Sequence, residues 1–181
     1  MWLHLIEIIK EMKISFREVC ADNIQEVHEV YAVIRQAPQY FLNVAGLETV
    51  SFETALKEMK DQPSKHVPSY KKIFLLAMLD GKDIGVVDLH KDHPHVGKAY
   101  IGLLLIGEKL QKKGIGKAVY ENLETWVKKN YEVEVFVLGV SIANNVEGFW
   151  TKMGFKKNGK TYLWGEKNKT TQVFEMEKFL F

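Results

Sequence analysis

The chain has 181 residues, 46% of them hydrophobic and 27% charged, with a formal net charge of +2. This predicts one globular domain with a real core, spanning 1–181, rather than two. A charge so near balance, with no long basic tract and no Cys/His zinc pattern, argues against nucleic acid as a partner and against a metal site. The one cysteine, Cys20, excludes an internal disulfide and makes a reducing, cytoplasmic setting the default. No run approaches the ~20 apolar residues needed to span a bilayer, so no membrane role is expected.

Residues 1–11 are apolar with interspersed charge and lack the basic start and small-residue cleavage site of a secretory signal. A short amphipathic helix and an N-terminal extension ahead of a start at Met12 both remain open. Ile14 to Val19 alternates and carries β-branched and aromatic residues, which predicts a strand. Asp22 or Asn23 can cap a following helix whose apolar positions Ile24, Val27, Tyr31 and Ile34 recur at helical spacing. Pro38 ends it. A segment with exposed-looking rings, Tyr40 and Phe41, runs on to Gly46. Ser51 starts a second helix with Phe52, Ala55, Leu56 and Met59 on one side. Residues 62–70 hold two prolines and no periodicity, and read as a loop.

Ile73 to Leu79 is a nearly continuous apolar run suited to a strand buried on both faces. Asp80-Gly81 is a hairpin turn signal, and Ile84 to Leu89 returns as the partner strand. Residues 90–98 are polar and predict a second turn. Ala99 to Ile106 completes an antiparallel meander. Gly114-Ile115-Gly116 then opens a helix through Asn130 with Val119, Leu123, Trp126 and Val127 on one face. Glu134 to Ser141 is a further strand. Asn144 or Asn145 can cap a short helix ending at Met153, with Gly154 suited to the left-handed position after it. Two last strands, 155–164 and 173–180, flank a polar loop over 165–171. The order predicts an α+β (α/β layered) architecture, a mixed, mostly antiparallel central sheet flanked by helices.

The segment Gln111-Lys112-Lys113-Gly114-Ile115-Gly116-Lys117 carries the clearest chemistry. Glycines let the backbone turn and expose its N–H groups. A helix start adds unpartnered donors and partial positive charge. Together these suit a phosphate or pyrophosphate. Lys112, Lys113 and Lys117 add diffuse positive charge, although a solvated helix start explains each lysine singly as well. A dinucleotide-binding oxidoreductase is a rival reading, but Val119 stands where its third glycine belongs, and no acid ends the next strand.

The element order and two motifs resemble the GCN5-related N-acetyltransferase family. Its pattern Q/R-x-x-G-x-G/A, which follows the fourth strand and binds the coenzyme A pyrophosphate, is matched by residues 111–116. Its pattern N-x-x-A-x-x-F-Y/W-x-x-x-G-F is matched in its second half by Phe149-Trp150-Thr151-Lys152-Met153-Gly154-Phe155. The family asparagine falls on Ala143, with Asn144 and Asn145 beside it. The resemblance implies acetyl-CoA as cosubstrate and splayed fourth and fifth strands. Backbone groups of Leu104, Leu105 and Ile106 would then face the pantetheine arm, and amides from Lys113 to Lys117 would hold the pyrophosphate. It implies direct transfer to the amine of a small molecule or peptide, by a monomer or homodimer. A non-catalytic acyl-CoA-binding module of the same fold is the alternative. Many relatives place a tyrosine acid where this chain has Trp150, which suits packing against the pantetheine or in the core. Asp88 and His93 are candidate bases, and His90 and His95 cluster with His93 around the turn near the expected acceptor side as further candidates. Glu108 reads as solvated. The acceptor is expected to be chosen by the first half of the chain, with 37–46 and 62–70 bordering its pocket and Tyr31, Tyr40 and Phe41 either lining it or packing the helices.

Overall fold

The computed structural model describes residues 13–166 and 169–181; the reading of residues 1–11 lies outside them. The elements follow in the order β1 (Ile14–Glu18), α1 (Ile24–Ile34), α2 (Pro38–Ala45), α3 (Phe52–Lys60), β2 (Lys71–Leu79), β3 (Lys82–Lys91), β4 (Lys98–Ile106), α4 (Ile115–Asn130), β5 (Val135–Ser141), α5 (Glu147–Lys152), β6 (Lys156–Glu166) and β7 (Lys169–Phe179). The strands form one seven-stranded sheet in the order β1-β2-β3-β4-β5-β7-β6. Every pairing is antiparallel except β4 with β5.

Helices cover both faces, as a sheet buried on both sides requires. On one face α1–α3 enclose Val27, Val30, Ile34, Phe41, Ala55 and Met59 over Phe74, Leu76, Val86, Leu103 and Leu105. On the other, α4 and α5 pack Tyr120, Leu123, Val127 and Trp150 over Leu75, Val87, Leu89, Phe136 and Leu138. Among the described residues no helix is long and apolar enough to cross a membrane.

Local chemistry accounts for the element ends. Asn23 caps α1 by accepting the Gln25 N–H, and Ser51 with Thr54 forms a reciprocal capping box at α3. Asp80 and Gly81 both have positive φ, which suits the tight turn between β2 and β3.

Four expectations are corrected. The segment after Pro38 is not a connection with exposed rings but helix α2: Pro38 stands in its first turn, where its missing N–H is harmless, and Gly46 closes it in the left-handed region. Phe41 is 1% exposed. His90 belongs to β3 rather than to the turn, because β3 runs on to Lys91 opposite β2 and β4. Helix α5 starts after Val146 without a side-chain cap, so neither Asn144 nor Asn145 caps it. The expected loop over 165–171 is mostly strand, with Glu166 already opposite Lys169.

Candidate active site

Strands β4 and β5 pair over only four residues, Lys98 to Ile101 against Val135 to Leu138. Beyond that point they part: Gly102 to Ile106 continues along β3 on one side, and Gly139 to Ser141 along β7 on the other. The expected splay is therefore present, and among the described residues no strand lies against the β5-facing edge of Leu104, Leu105 and Ile106. A bulge in β4 starts the separation. Asp88 lies opposite Leu103 and Leu89 opposite Ile101, leaving Gly102 as the extra residue.

The open edge ends at the glycine-bearing turn. Gln111 Nε2 donates to the Ile106 carbonyl at 2.9 Å, closing the strand end over the turn. The turn itself is made by left-handed residues, Lys112 at φ +59° and Gly114 at φ +82°. Gly116 has no positive φ. A Cβ there would meet Phe149 and Ile106 side chains at 3.6 and 3.8 Å, ordinary contact. Gly114 occupies the cap position of α4 and has no side chain with which to satisfy the first-turn amides. Those amides, with the dipole of a 16-residue helix behind them, suit an anion. Lys117 pairs with Glu121 at 3.2 Å, so its charge is partly answered within the helix.

Asn144 and Asn145 sit in the turn beyond β5, on the other wall of the cleft, where the Asn144 N–H donates to the Ser141 carbonyl. Trp150, at 8% exposure, is a core ring. It packs edge-on against Tyr120 and Phe155, with centroids 5.8 and 5.2 Å away. Of the two roles open to it, the structure shows core packing.

The fork where the strands part is lined on the α1–α3 face by polar groups that enter because glycines leave room. A Cβ on Gly102 would stand 3.0 Å from both Asp88 Oδ2 and His90 Nε2. A Cβ on Gly139 would stand 2.6 Å from Tyr100 Oη and 2.5 Å from Tyr162 Oη. The two hydroxyls bond each other at 2.8 Å. Burial raises Tyr100 far above the usual phenol range. Asp88 is 6% exposed, and its Oδ2 accepts from Lys72 Nζ at 2.9 Å and lies 3.0 Å from His90 Nε2. Its Oδ1 is buried with no hydrogen-bond partner among the described residues, and so is His93 Nδ1. Burial, then His90 and His95, hold His93 below the usual imidazole range. Tyr70 Oη reaches His90 Nδ1 at 2.8 Å.

The structure thus gathers Asp88, His90 and His93 on the face covered by α1–α3, with the His90 and His93 rings 6.1 Å apart; His95 is exposed. Sequence reading missed Tyr70, Lys72, Tyr100 and Tyr162 as members of this group. Counting outward from the Asp80-Gly81 turn sets Lys72 opposite Leu89; a bulge between Ala77 and Met78 shifts the register by one and brings Lys72 opposite His90 instead. Glu108 is exposed, as expected. Its carboxylate accepts the Gln39 N–H at 2.8 Å and so serves the first turn of α2. The Glu108 N–H donates to the Gln36 carbonyl at 3.0 Å, tying the α1–α2 junction to the end of β4.

No curated protein matches the chain. Solved structures do. An acetyltransferase from Thermus thermophilus superposes with a TM-score of 0.66 at 18% identity, covering 92% of this chain and 97% of that one. The PaiA N-acetyltransferase from Thermoplasma acidophilum, solved in complex with coenzyme A, gives 0.59 at 23% identity over 93% and 99%. The ribosomal-protein-S18-alanine N-acetyltransferase from Escherichia coli gives 0.59 at 13% identity over 93% and 94%. These likenesses show the fold. The Acetyltransferase (GNAT) family matches residues 30–155, a span that takes in the parted strands, the glycine turn and the Phe149–Phe155 motif and excludes the oxidoreductase reading; the chain belongs to that family of acetyltransferases.

Proposed function

We propose that the chain is an N-acetyltransferase that moves the acetyl group of acetyl-CoA to a primary amine by direct attack in a ternary complex. The observation that carries this is the union of two features in one strand. Strand β4 loses its β5 partner after Ile101, and its free edge leads, through a single 3-10 turn at Glu108–Leu110, to the left-handed turn at Lys112 and Gly114. A peptide-like arm can add to such an edge through its amides. The anion next to that arm then meets the first turn of α4.

In this reading Leu104, Leu105 and Ile106 present backbone to the pantetheine. Gln111 and Lys112 shape the turn, and the amides from Lys113 through Gly114, Ile115, Gly116 and Lys117 receive the pyrophosphate. Asn144 and Asn145 border the arm from the β5 side. Trp150 acts indirectly, backing Phe149, whose ring centroid lies 5.0 Å from its own and which faces Gly116. A bound thioester supplies an activated acyl group. The chain supplies an N–H of β4 near the bulge for the oxyanion. The acceptor, a small molecule or a peptide amine, enters from the α1–α3 face, where the fork is lined by Asp88, His90, Tyr100 and Tyr162. The amine loses a proton, its nitrogen bonds the carbonyl carbon, the C–S bond breaks, and the thiolate takes the proton released from the new amide nitrogen.

The test is acetyl-CoA binding by calorimetry, followed by a panel of amines read as free thiol released. Amine-dependent thiol release is expected. Tight coenzyme binding with no amine accelerating release would overturn the transferase reading in favour of a non-catalytic acyl-CoA module.

A further inference from the structure

Resting on the transferase reading above, we propose that His90 is the proton acceptor of the reaction, filled through the Tyr70 hydroxyl and oriented by Asp88. Three side chains from two segments form a single line: Tyr70 Oη to His90 Nδ1 at 2.8 Å, and His90 Nε2 to Asp88 Oδ2 at 3.0 Å. With Asp88 as a carboxylate, Nε2 carries the hydrogen and Nδ1 keeps a lone pair that accepts from Tyr70. This fixes one tautomer, as a carboxylate does for any imidazole that must work as a base.

The line suits proton uptake because both ends survive it. When Nδ1 gains a proton, the imidazolium donates from both nitrogens. The Asp88 bond is retained and strengthened by charge. The Tyr70 hydroxyl turns from donor to acceptor. Its proton has moved to Nδ1, and it has taken another from a water or from the ammonium itself. One proton leaves the acceptor nitrogen and one arrives on His90; release to solvent runs back through Tyr70, which is half-buried at the edge of the α3–β2 loop.

Position supports the assignment. The Asp88-bound edge of the ring is at the bulge where β4 leaves β5, His90 Nε2 and Asp88 Oδ2 both standing 3.0 Å from where a Gly102 Cβ would be, while the accepting Nδ1 faces the Tyr70 hydroxyl. Gly102 is exposed even though it lies between buried Ile101 and Leu103, so the fork is open there. The Lys72 ammonium, 2.9 Å from Asp88 Oδ2 and also bonded to the Glu58 and Asp61 carbonyls, answers the buried charge.

Every neighbouring ionisable group has a place in this scheme. Tyr70 faces His90 from the loop, Lys72 from β2, Asp88 from β3, Tyr100 from β4 at 6.5 Å between centroids, and His93 from the β3–β4 turn. His66 stacks on Tyr70 at 4.5 Å. Glu58 and Tyr40 sense the Asp88 charge from α3 and α2. Burial, then Asp88, pushes the Tyr70 phenol up to about 12, so it stays a neutral relay at working pH. His93 has a free Nδ1 but packs on the Tyr100 ring, 5.7 Å away, toward the hairpin end rather than at Gly102.

The experiment compares H90Q, Y70F and H93Q with the natural chain in kcat/KM from about pH 5 to about pH 8, the range in which an imidazole changes charge. Acetyl-CoA affinity serves as the control for folding. H90Q should bind acetyl-CoA normally and lose ~10²-fold or more in kcat/KM near neutral pH. Its rate should also climb with pH without the bend that a titrating imidazole produces. Y70F should keep the bend and lose roughly tenfold in kcat, with the KM for the amine unchanged. H93Q should keep the bend. An H90Q profile that parallels the natural chain's, or loss of the bend in H93Q instead, overturns this inference and leaves the transferase reading standing. Absence of turnover by the natural chain overturns both.

Discussion

Gly114 and Gly116 look alike in sequence and should behave oppositely when replaced by alanine. At Gly114 the backbone sits at φ +82° and ψ −10°, a region where an L side chain meets the following carbonyl at a cost of ~1–2 kcal/mol. A domain of this size loses roughly 2–4 °C of Tm per kcal/mol, so G114A should melt ~2–8 °C lower. If the turn relaxes to escape the strain, its amides no longer converge, and the same free energy appears as roughly 5–30-fold weaker acetyl-CoA binding. At Gly116 the backbone is helical, and an added Cβ meets Phe149 Cε2 at 3.6 Å and Ile106 Cδ1 at 3.8 Å. Nothing there must move, and alanine is a better helix former than glycine, although in the first turn the gain is smaller than at an interior position. G116A should therefore melt no lower than the natural chain and bind acetyl-CoA with unchanged affinity. Differential scanning calorimetry and titration calorimetry on the two variants decide the matter. If G116A is the damaged variant and G114A the silent one, the geometry assigned to this turn is wrong.

Three other predictions address the scaffold. Burial, with Asp88 and Asp61, pushes the Glu58 carboxyl up to about 7 from 4.5. The unfolded chain therefore holds fewer protons than the folded one between those values, and stability falls as pH rises through that window. E58Q should raise stability at about pH 8, by at most ~3 kcal/mol, and change little at about pH 4, as read by denaturant titration at both values; a gain only in acid would reverse the sign and refute the assignment. Phe41→Ala should cost ~3–5 kcal/mol because the ring is fully enclosed, whereas Leu42→Ala, at 41% exposure, should stay within about 0.5 kcal/mol; equal effects would show that α2 does not present this face to the core. Ser51→Ala removes the oxygen that accepts the Thr54 N–H at 3.2 Å and should lower stability by ~1 kcal/mol in the same assay.

What could be read in the residues was local, and what could not was set by distant partners. The β2–β3–β4 meander announced itself through apolar runs around Asp80-Gly81, and α4 through a glycine turn followed by a 3.6-residue period. Both signals lie within one short stretch of chain. Helix α2 was hidden because proline stops one helix and starts another with equal ease, and because its first-turn donor is answered by Glu108, 69 residues away. The fork was hidden for a related reason. Asp88, His90, Tyr100 and Tyr162 are ordinary polar residues in apolar strands until Gly102 and Gly139 are known to face them. That fact depends on a one-residue bulge, which apolar alternation does not encode. His93 drew attention as part of a histidine-rich turn, whereas His90, one residue inside the strand end, is the imidazole whose two nitrogens are both engaged.

The fork also bears on why the transfer is proposed to be direct rather than through an acyl-enzyme. A covalent route needs a thiol or hydroxyl beside the parted strands with a base to activate it. Cys20, the chain's one thiol, is exposed at the start of α1, where its sulfur accepts the Asp22 N–H. Ser141, the serine closest to the fork on β5, has its hydroxyl committed to Thr171 at 2.9 Å and to the Ala143 N–H at 3.1 Å. The hydroxyls that do reach the fork, Tyr100 and Tyr162, bond each other, and burial raises both, so neither is poised as a phenolate. What is present instead is an imidazole held by a carboxylate on the α1–α3 face and a free strand edge continuing toward the anion turn. That distribution leaves the amine as the nucleophile and gives the protein the task of removing its proton. A burst of acetylated chain after mixing with acetyl-CoA alone, seen by intact-mass spectrometry and consumed when amine is added, would contradict this division of labour.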